Sequence, residues 1–244
     1  MRRSPQWSFR CRRRPRSVGM KLLLLFAARG GARDELTERI TAEAVRLLEH
    51  GATSVCAMRQ IPNDPFGAAV PGMRSFDASI DARFDTIEVA GAAMDGLAER
   101  VASVVHVDLS GVFGGEDHVV IACDPTPVRY QYLMRRKIHT AHEAYLEHYV
   151  NNHAKFGLRT PGIEGYVQFH IDADSSRALA TIAGLGLWSA DSVSELHVAS
   201  VDTMLEGFAS SPALGDEAGI DEDRFVDRAN SVMFTSDVVH RSST

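Results

Sequence analysis

Long apolar runs are missing from this 244-residue sequence. The longest, Leu22 to Ala28, falls far short of the roughly 18–20 residues needed to cross a bilayer, so no membrane span is expected. Cysteine is scarce: Cys11, Cys56 and Cys123 have no metal-type spacing and are too few for a disulfide framework, which fits a reducing cytoplasm. No glycine-rich loop opens a helix. Gly114-Gly115 precedes a strand instead, so there is no cradle for a phosphate or dinucleotide and no nucleotide cofactor is expected. Basic surface is lacking too. Seven of the 26 Lys and Arg lie in the first nineteen residues, and the remaining 19 face 32 acidic groups, a net charge near −13 that argues against a nucleic-acid partner. That Arg-rich leader has no apolar centre, so it does not read as a secretory signal. Residues 1–19 are taken as a disordered or non-native extension, with Met20 as the natural start.

What is present is a chain with 45% hydrophobic residues, enough to bury one large core or two of about 100 residues each. MKLLLLFAA from Met20 reads as a buried strand, and Glu35 to His50 as a helix with Leu36, Ile40, Ala44, Leu47 and Leu48 on one stripe. Strands are expected at Ser54–Ile61, Phe84–Val89 and His118–Cys123, with a second helix at Ala92–Val105 and a Pro/Gly-rich loop after Ile61. After DPTP the order β-α-β-β-α-β begins again. The expected elements are a strand at Val128–Arg136, a helix from Thr140, strands at Ile163–Ile171 and Val193–Ser200, a helix at Val201–Ala209 and a strand at Ser231–Val238. The pattern predicts an α+β fold of two ferredoxin-like halves, residues 20–126 and 127–244, closing as a pseudo-dimeric α/β barrel. Both halves lie in one chain, so a monomer or homodimer is expected.

The densest polar chemistry lies between Thr140 and Ile171. Tyr145, Tyr149 and His153 are four apart and share a helix face with Phe156, while Tyr166, Gln168 and His170 alternate onto one side of a strand. His142 and His148 sit off that helix face and read as exposed or structural. Glu195 and His197 share a strand face and form a possible carboxylate–imidazole pair. His153, His170, His197 and Glu195 come from separate elements, and no spacing sets two ligands on one element, so no metal is expected.

From Arg135-Arg136-Lys137 onward the sequence resembles the EthD-like branch of the dimeric α/β-barrel, ferredoxin-like superfamily. The resemblance rests on Tyr149 followed by His153, Pro161-Gly162, Gly165-Tyr166-Val167-Gln168-Phe169-His170, Ser194-Glu195-Leu196-His197, Ser210-Ser211-Pro212 and Phe225-Val226-Asp227, and it covers roughly residues 128–240. Tyr149 stands where Trp is common in such proteins, and His197 where a larger aromatic is common. The first half matches only in element order, so one site per chain is expected, in the second half.

The resemblance implies cofactor-independent lyase chemistry: decarboxylation, dehydration or aldehyde-releasing cleavage of a small hydrophobic, aromatic or polyketide-like compound. Relatives also include cyclases, monooxygenases and haem enzymes, so a cofactor-free monooxygenase or cyclase, or a non-catalytic binding protein, are the alternatives. His153 is expected to act as general base or acid, with Tyr149, His170 and Tyr166 completing the catalytic set. Tyr145, Gln168, Glu195, His197 and Trp188 are the expected substrate contacts.

Overall fold

The computed structural model describes residues 19–67 and 76–244; the leader up to residue 18 and part of the Pro/Gly-rich loop lie outside these. The first half runs β1 (Met20–Phe26), α1 (Arg33–Glu49), β2 (Ser54–Gln60), β3 (Ala78–Phe84), α2 (Ile87–Met94), α3 (Leu97–Val101) and β4 (Gly111–Ile121). The second half continues with β5 (Val128–Met134), then α4 (His142–His148), a π turn (Tyr149–His153) and α5 (Ala154–Gly157), which together make one continuous helix. It is completed by β6 (Gly165–Asp172), α6 (Ala173–Ala183), β7 (Ser192–Val198), α7 (Val201–Ser210), α8 (Pro212–Phe225) and β8 (Val232–Ser243).

Three expectations shift. The segment Phe84–Val89 is not a strand: its alternation imitates period two, but Thr86 accepts the Val89 N–H and starts α2 as an N-cap. The single helix expected at Ala92–Val105 is broken at Gly96, whose φ of 67° only glycine adopts cheaply. Two helices were not foreseen. Helix α6 is capped by the Asp172 carboxylate on Ser175 N–H and ended by Gly184, and α8 begins at Pro212.

Each half is an antiparallel sheet ordered fourth-first-third-second strand: β4-β1-β3-β2 and β8-β5-β7-β6. The halves join at both edges, β2 to β8 and β4 to β6, so the second strand of each half pairs with the fourth of the other and the barrel closes. Helix α6 belongs to the second half by sequence yet packs on β4 and α2 of the first. Among the described residues no helix is long and apolar enough to cross a membrane.

Alternation along the strands divides the buried residues into three compartments. Outside the first sheet, Leu22, Leu24, Ile80 and Ala82 meet Leu36, Ile40, Ala44 and Leu47 of α1 in a solid aliphatic layer. Outside the second sheet the corresponding layer is aromatic, with Tyr130, Tyr132, Tyr145, Tyr149, Tyr166 and Phe225. The lumen is apolar at one end, around Leu23, Leu25, Phe113, Phe169 and Phe234, and ionic at the other, where Lys21 is fully buried.

Candidate active site

The helix over the second sheet keeps three side chains in line through its π turn. An α-helical step of four residues overshoots a full turn by about 40°, whereas the wider i→i+5 turn undershoots over the same four residues. Tyr145 to Tyr149 is an α step and Tyr149 to His153 a π step, so the two offsets oppose each other and all three side chains face the sheet. Gln168, fully buried, supports this bend: its amide donates to the Tyr149 carbonyl at 3.2 Å and to the Tyr166 hydroxyl oxygen at 2.9 Å.

His153 is the centre of the arrangement. Its Nδ1 is 3.0 Å from Asp221 Oδ2 on α8, and its Nε2 lies 3.7 Å from Glu222 Oε1. An ionised Asp221 accepts from Nδ1–H, which leaves the Nε2 lone pair free. Burial lowers the His153 pKa against the opposing pull of Asp221, so the ring is neutral near pH 7. Asp221 is raised by burial, but the bonds from His153 and His148 outweigh this and hold it below the usual carboxylate range. Glu222 has no such help. Burial pushes it up to about 7, with Asp223 and Asp221 adding to the rise and Arg228 opposing it.

His153 and Glu222 border a cleft of about 280 Å³ between the sheet and helices α5, α7 and α8. Tyr130, Tyr132 and Tyr166 supply phenols from the sheet, Phe156 and Phe208 supply ring faces, and Ser194 lies among the phenols. The Tyr166 oxygen already accepts from Gln168, so its proton is free for another acceptor. The Tyr132 hydroxyl is buried beside Ser231 and Arg228, and burial raises its pKa against the opposing pull of these two neighbours. Two glycines let this wall close up. A Cβ on Gly157 would sit 2.5 Å from the Tyr166 ring, and one on Gly207 would sit 2.0 Å from the Pro161 carbonyl oxygen.

His153 and Tyr166 line the cleft, and the other residues expected there are placed around it. Tyr149 lies behind His153, with ring centroids 6.0 Å apart, and its buried hydroxyl adjoins Ser194 and Tyr166. Tyr145 is fully buried and bonds Ser192 through its hydroxyl at 2.6 Å. His170 faces the same side as Tyr166 but stacks on His118 at 5.8 Å, and burial pushes its pKa down to about 4. Glu195 and His197 do not join the cleft. On β7 it is Ser194 and Leu196 that face it, so strand alternation turns Glu195 and His197 into the lumen, where Glu195 binds Lys21 at 2.7 Å. Trp188 packs edge-on against Phe76 at the apolar end of the lumen, 5.0 Å between centroids. His148 was set apart by helix phase, yet its Nε2 reaches Asp221 at 3.1 Å.

The sequence reading missed Tyr130, Tyr132, Asp221 and Glu222. The two tyrosines were within reach, since they are two apart on a strand that was assigned. The two acids needed α8. Among the described residues no group of three His, Cys, Asp or Glu is placed to hold a metal ion. The residues do not fit a haem at His153 either: Nε2, the nitrogen that iron would take, faces Glu222, and the adjoining cleft is of small-ligand size.

Residues 137–229 match the EthD domain. No curated protein matches the chain. Among solved structures, an anthrone oxidase-like protein superposes with a TM-score of 0.66 at 13% identity, covering 92% of this chain and 93% of its own. A candidate monooxygenase from Fusobacterium nucleatum gives 0.57 at 8% identity over 93% and 94%. A chlorite dismutase variant from Candidatus Nitrospira defluvii gives 0.53 at 12% over 91% and 92%. At these identities the likeness is one of fold. Residues 137–229 thus match the EthD domain, and the chain shares with these proteins the fold of a barrel closed here from two halves of one polypeptide.

Proposed function

We propose that the protein is a cofactor-independent enzyme of lyase type, acting on a small aromatic or polyketide-like compound in the cleft over the second sheet. The observation that carries this reading is the pairing at His153: a neutral imidazole anchored through Nδ1 to Asp221, with a carboxyl group of pKa about 7 facing its Nε2. A base and an acid side by side suit the elimination of water from a β-hydroxy carbonyl compound. His153 Nε2 takes the proton from the carbon next to the carbonyl. The enolate oxygen is held by the Tyr132 and Tyr166 hydroxyls, whose oxygens take bonds from Arg228 and Gln168 and whose protons are left to donate. Protonated Glu222 delivers its proton to the hydroxyl group as the C–O bond breaks, water leaves, and the His153 proton passes back to Glu222. The aliphatic layer in the same position of the first half offers no such groups, which supports one site per chain.

A second reading uses the same base. The named anthrone oxidase-like and monooxygenase relatives of this fold favour deprotonation of an electron-rich aromatic that then reacts with dioxygen. One experiment separates the two: incubate the protein with a panel of bicyclic aromatic β-hydroxy ketones, with and without air, and follow mass and oxygen uptake. Loss of water independent of oxygen supports the lyase, and oxygen uptake with incorporation supports the oxygenase. Absence of any turnover, with binding retained, would leave a non-catalytic binding protein and sink both.

A further inference from the structure

On the other side of the second sheet, the ionic end of the lumen carries more positive than negative charge. Lys21 meets Glu195 at 2.7 Å, Asp81 at 3.1 Å and Asp117 at 3.5 Å. Arg129 reaches Asp81 at 3.0 Å and Glu195 at 3.8 Å, and Arg83 pairs with Asp117. Arg241, from the end of β8, has no carboxylate partner among the described residues; it spends Nη2 on the Thr126 carbonyl at 3.1 Å and lies 3.9 Å from Cys56 Sγ. Among the described residues of this cluster, four cations therefore face three carboxylates. His197 does not change the balance, because burial and then Arg129, Lys21 and Arg241 push its pKa down to about 3.

Two donors are left without work. Arg129 is 6% exposed, yet its Nε is buried with no partner, and Arg241 has guanidinium donors to spare. Both border a cleft of about 320 Å³, together with Arg83, Asp81, Cys56 and Ser243. At about 30 Å³ for each water-sized unit, the cleft has room for roughly ten non-hydrogen atoms.

We propose that this end of the barrel is a second binding site, which takes a small monocarboxylate between Arg129 and Arg241 and is separated from the His153 cleft by the second sheet. One negative charge neutralises the excess, and the two oxygens of a planar carboxylate match a guanidinium fork, which makes such pairs stronger than neutral hydrogen bonds. The Asp81 and Glu195 carboxylates already engage Arg129 and Lys21, so a dianion would meet repulsion that a monoanion avoids.

Benzoate serves as the probe, with ionic strength held constant by sodium chloride, and the melting temperature of the full chain is followed as it is added. The expected result is a saturable rise for the wild type and for His153→Ala, with the apparent affinity at least about tenfold weaker in Arg241→Gln. Arg241 is exposed, so its replacement leaves a folded protein to measure. The proposal is overturned by a rise that does not saturate, by equal affinity in Arg241→Gln, or by loss of the effect in His153→Ala, which would place benzoate in the other cleft.

Discussion

Asp221 and Glu222 are neighbours in sequence, and the fold gives them opposite ionisation around one imidazole. Asp221 is held ionised by two histidines; Glu222, on the Nε2 side, is raised by desolvation, which outweighs the pull of Arg228. A positioned acid or base contributes about 10² to 10⁴ in rate, so His153→Ala should lower kcat by that order while circular dichroism stays unchanged. The pH–rate profile should be a bell. Its acid limb follows His153 and lies below the ordinary histidine value, and its alkaline limb follows Glu222 near pH 7 and disappears in Glu222→Gln. A profile unchanged in both variants would move the chemistry elsewhere. His148 shares the carboxylate, so His148→Ala should reduce kcat measurably, though by less than His153→Ala. Stability follows the same group. The folded pKa of Glu222 is raised, so its favourable contribution is complete below the ordinary carboxylate range and is lost as pH rises through about 7. Glu222→Gln should therefore raise the melting temperature at pH 8.5 and leave it nearly unchanged at pH 4, by about 2–4 °C for each kcal/mol of desolvation relieved. No gain at pH 8.5 would contradict the burial cost.

At the scale of elements, the site depends on a helix that changes its own pitch and on glycines that let its neighbours close in. Gly157→Ala puts a methyl group into the Tyr166 ring. Overpacking of this kind costs about 1–3 kcal/mol. Because Tyr166 borders the cleft, kcat/KM should fall by more than the loss of stability alone explains; retained activity with lowered stability would show that Tyr166 has no part in the reaction. The strand-and-helix order of both halves was legible because the apolar positions repeat with period two or with a 3.6-residue stripe, as in α1. The face of His153 was legible for the same reason, although the π turn that keeps it aligned has no signature in YVNNH. Helix α8 was not legible. Its buried residues are Asp221 and Phe225 alone, and one side borders the cleft, so no apolar stripe marks it. Helix α6 did carry its signs, an Asp172 cap and a stripe of Leu179, Ala180 and Ala183. Glu195 and His197 were assigned to the wrong compartment, although alternation with Ser194 and Leu196 puts the two pairs on opposite faces.

At the scale of the molecule, the two halves share both sheet junctions, and α6 reaches from one half across the other. Neither half has a boundary that could open without breaking ladder hydrogen bonds, so calorimetry should show one unfolding transition, and two resolved transitions would contradict this account. Light scattering should find a monomer or homodimer, since closure of the barrel needs no partner chain.

The closed ladder also bears on how the protein fails. Strand edges are where a passing chain docks and aggregates, and in the native barrel all eight strands are paired on both sides. The hazard is displaced into folding: whenever one half forms before the other, β2 and β4, or β6 and β8, stand bare as templates. Losses to aggregates should therefore follow the lifetime of half-formed barrels, during synthesis or after heating, while the finished protein can be held concentrated.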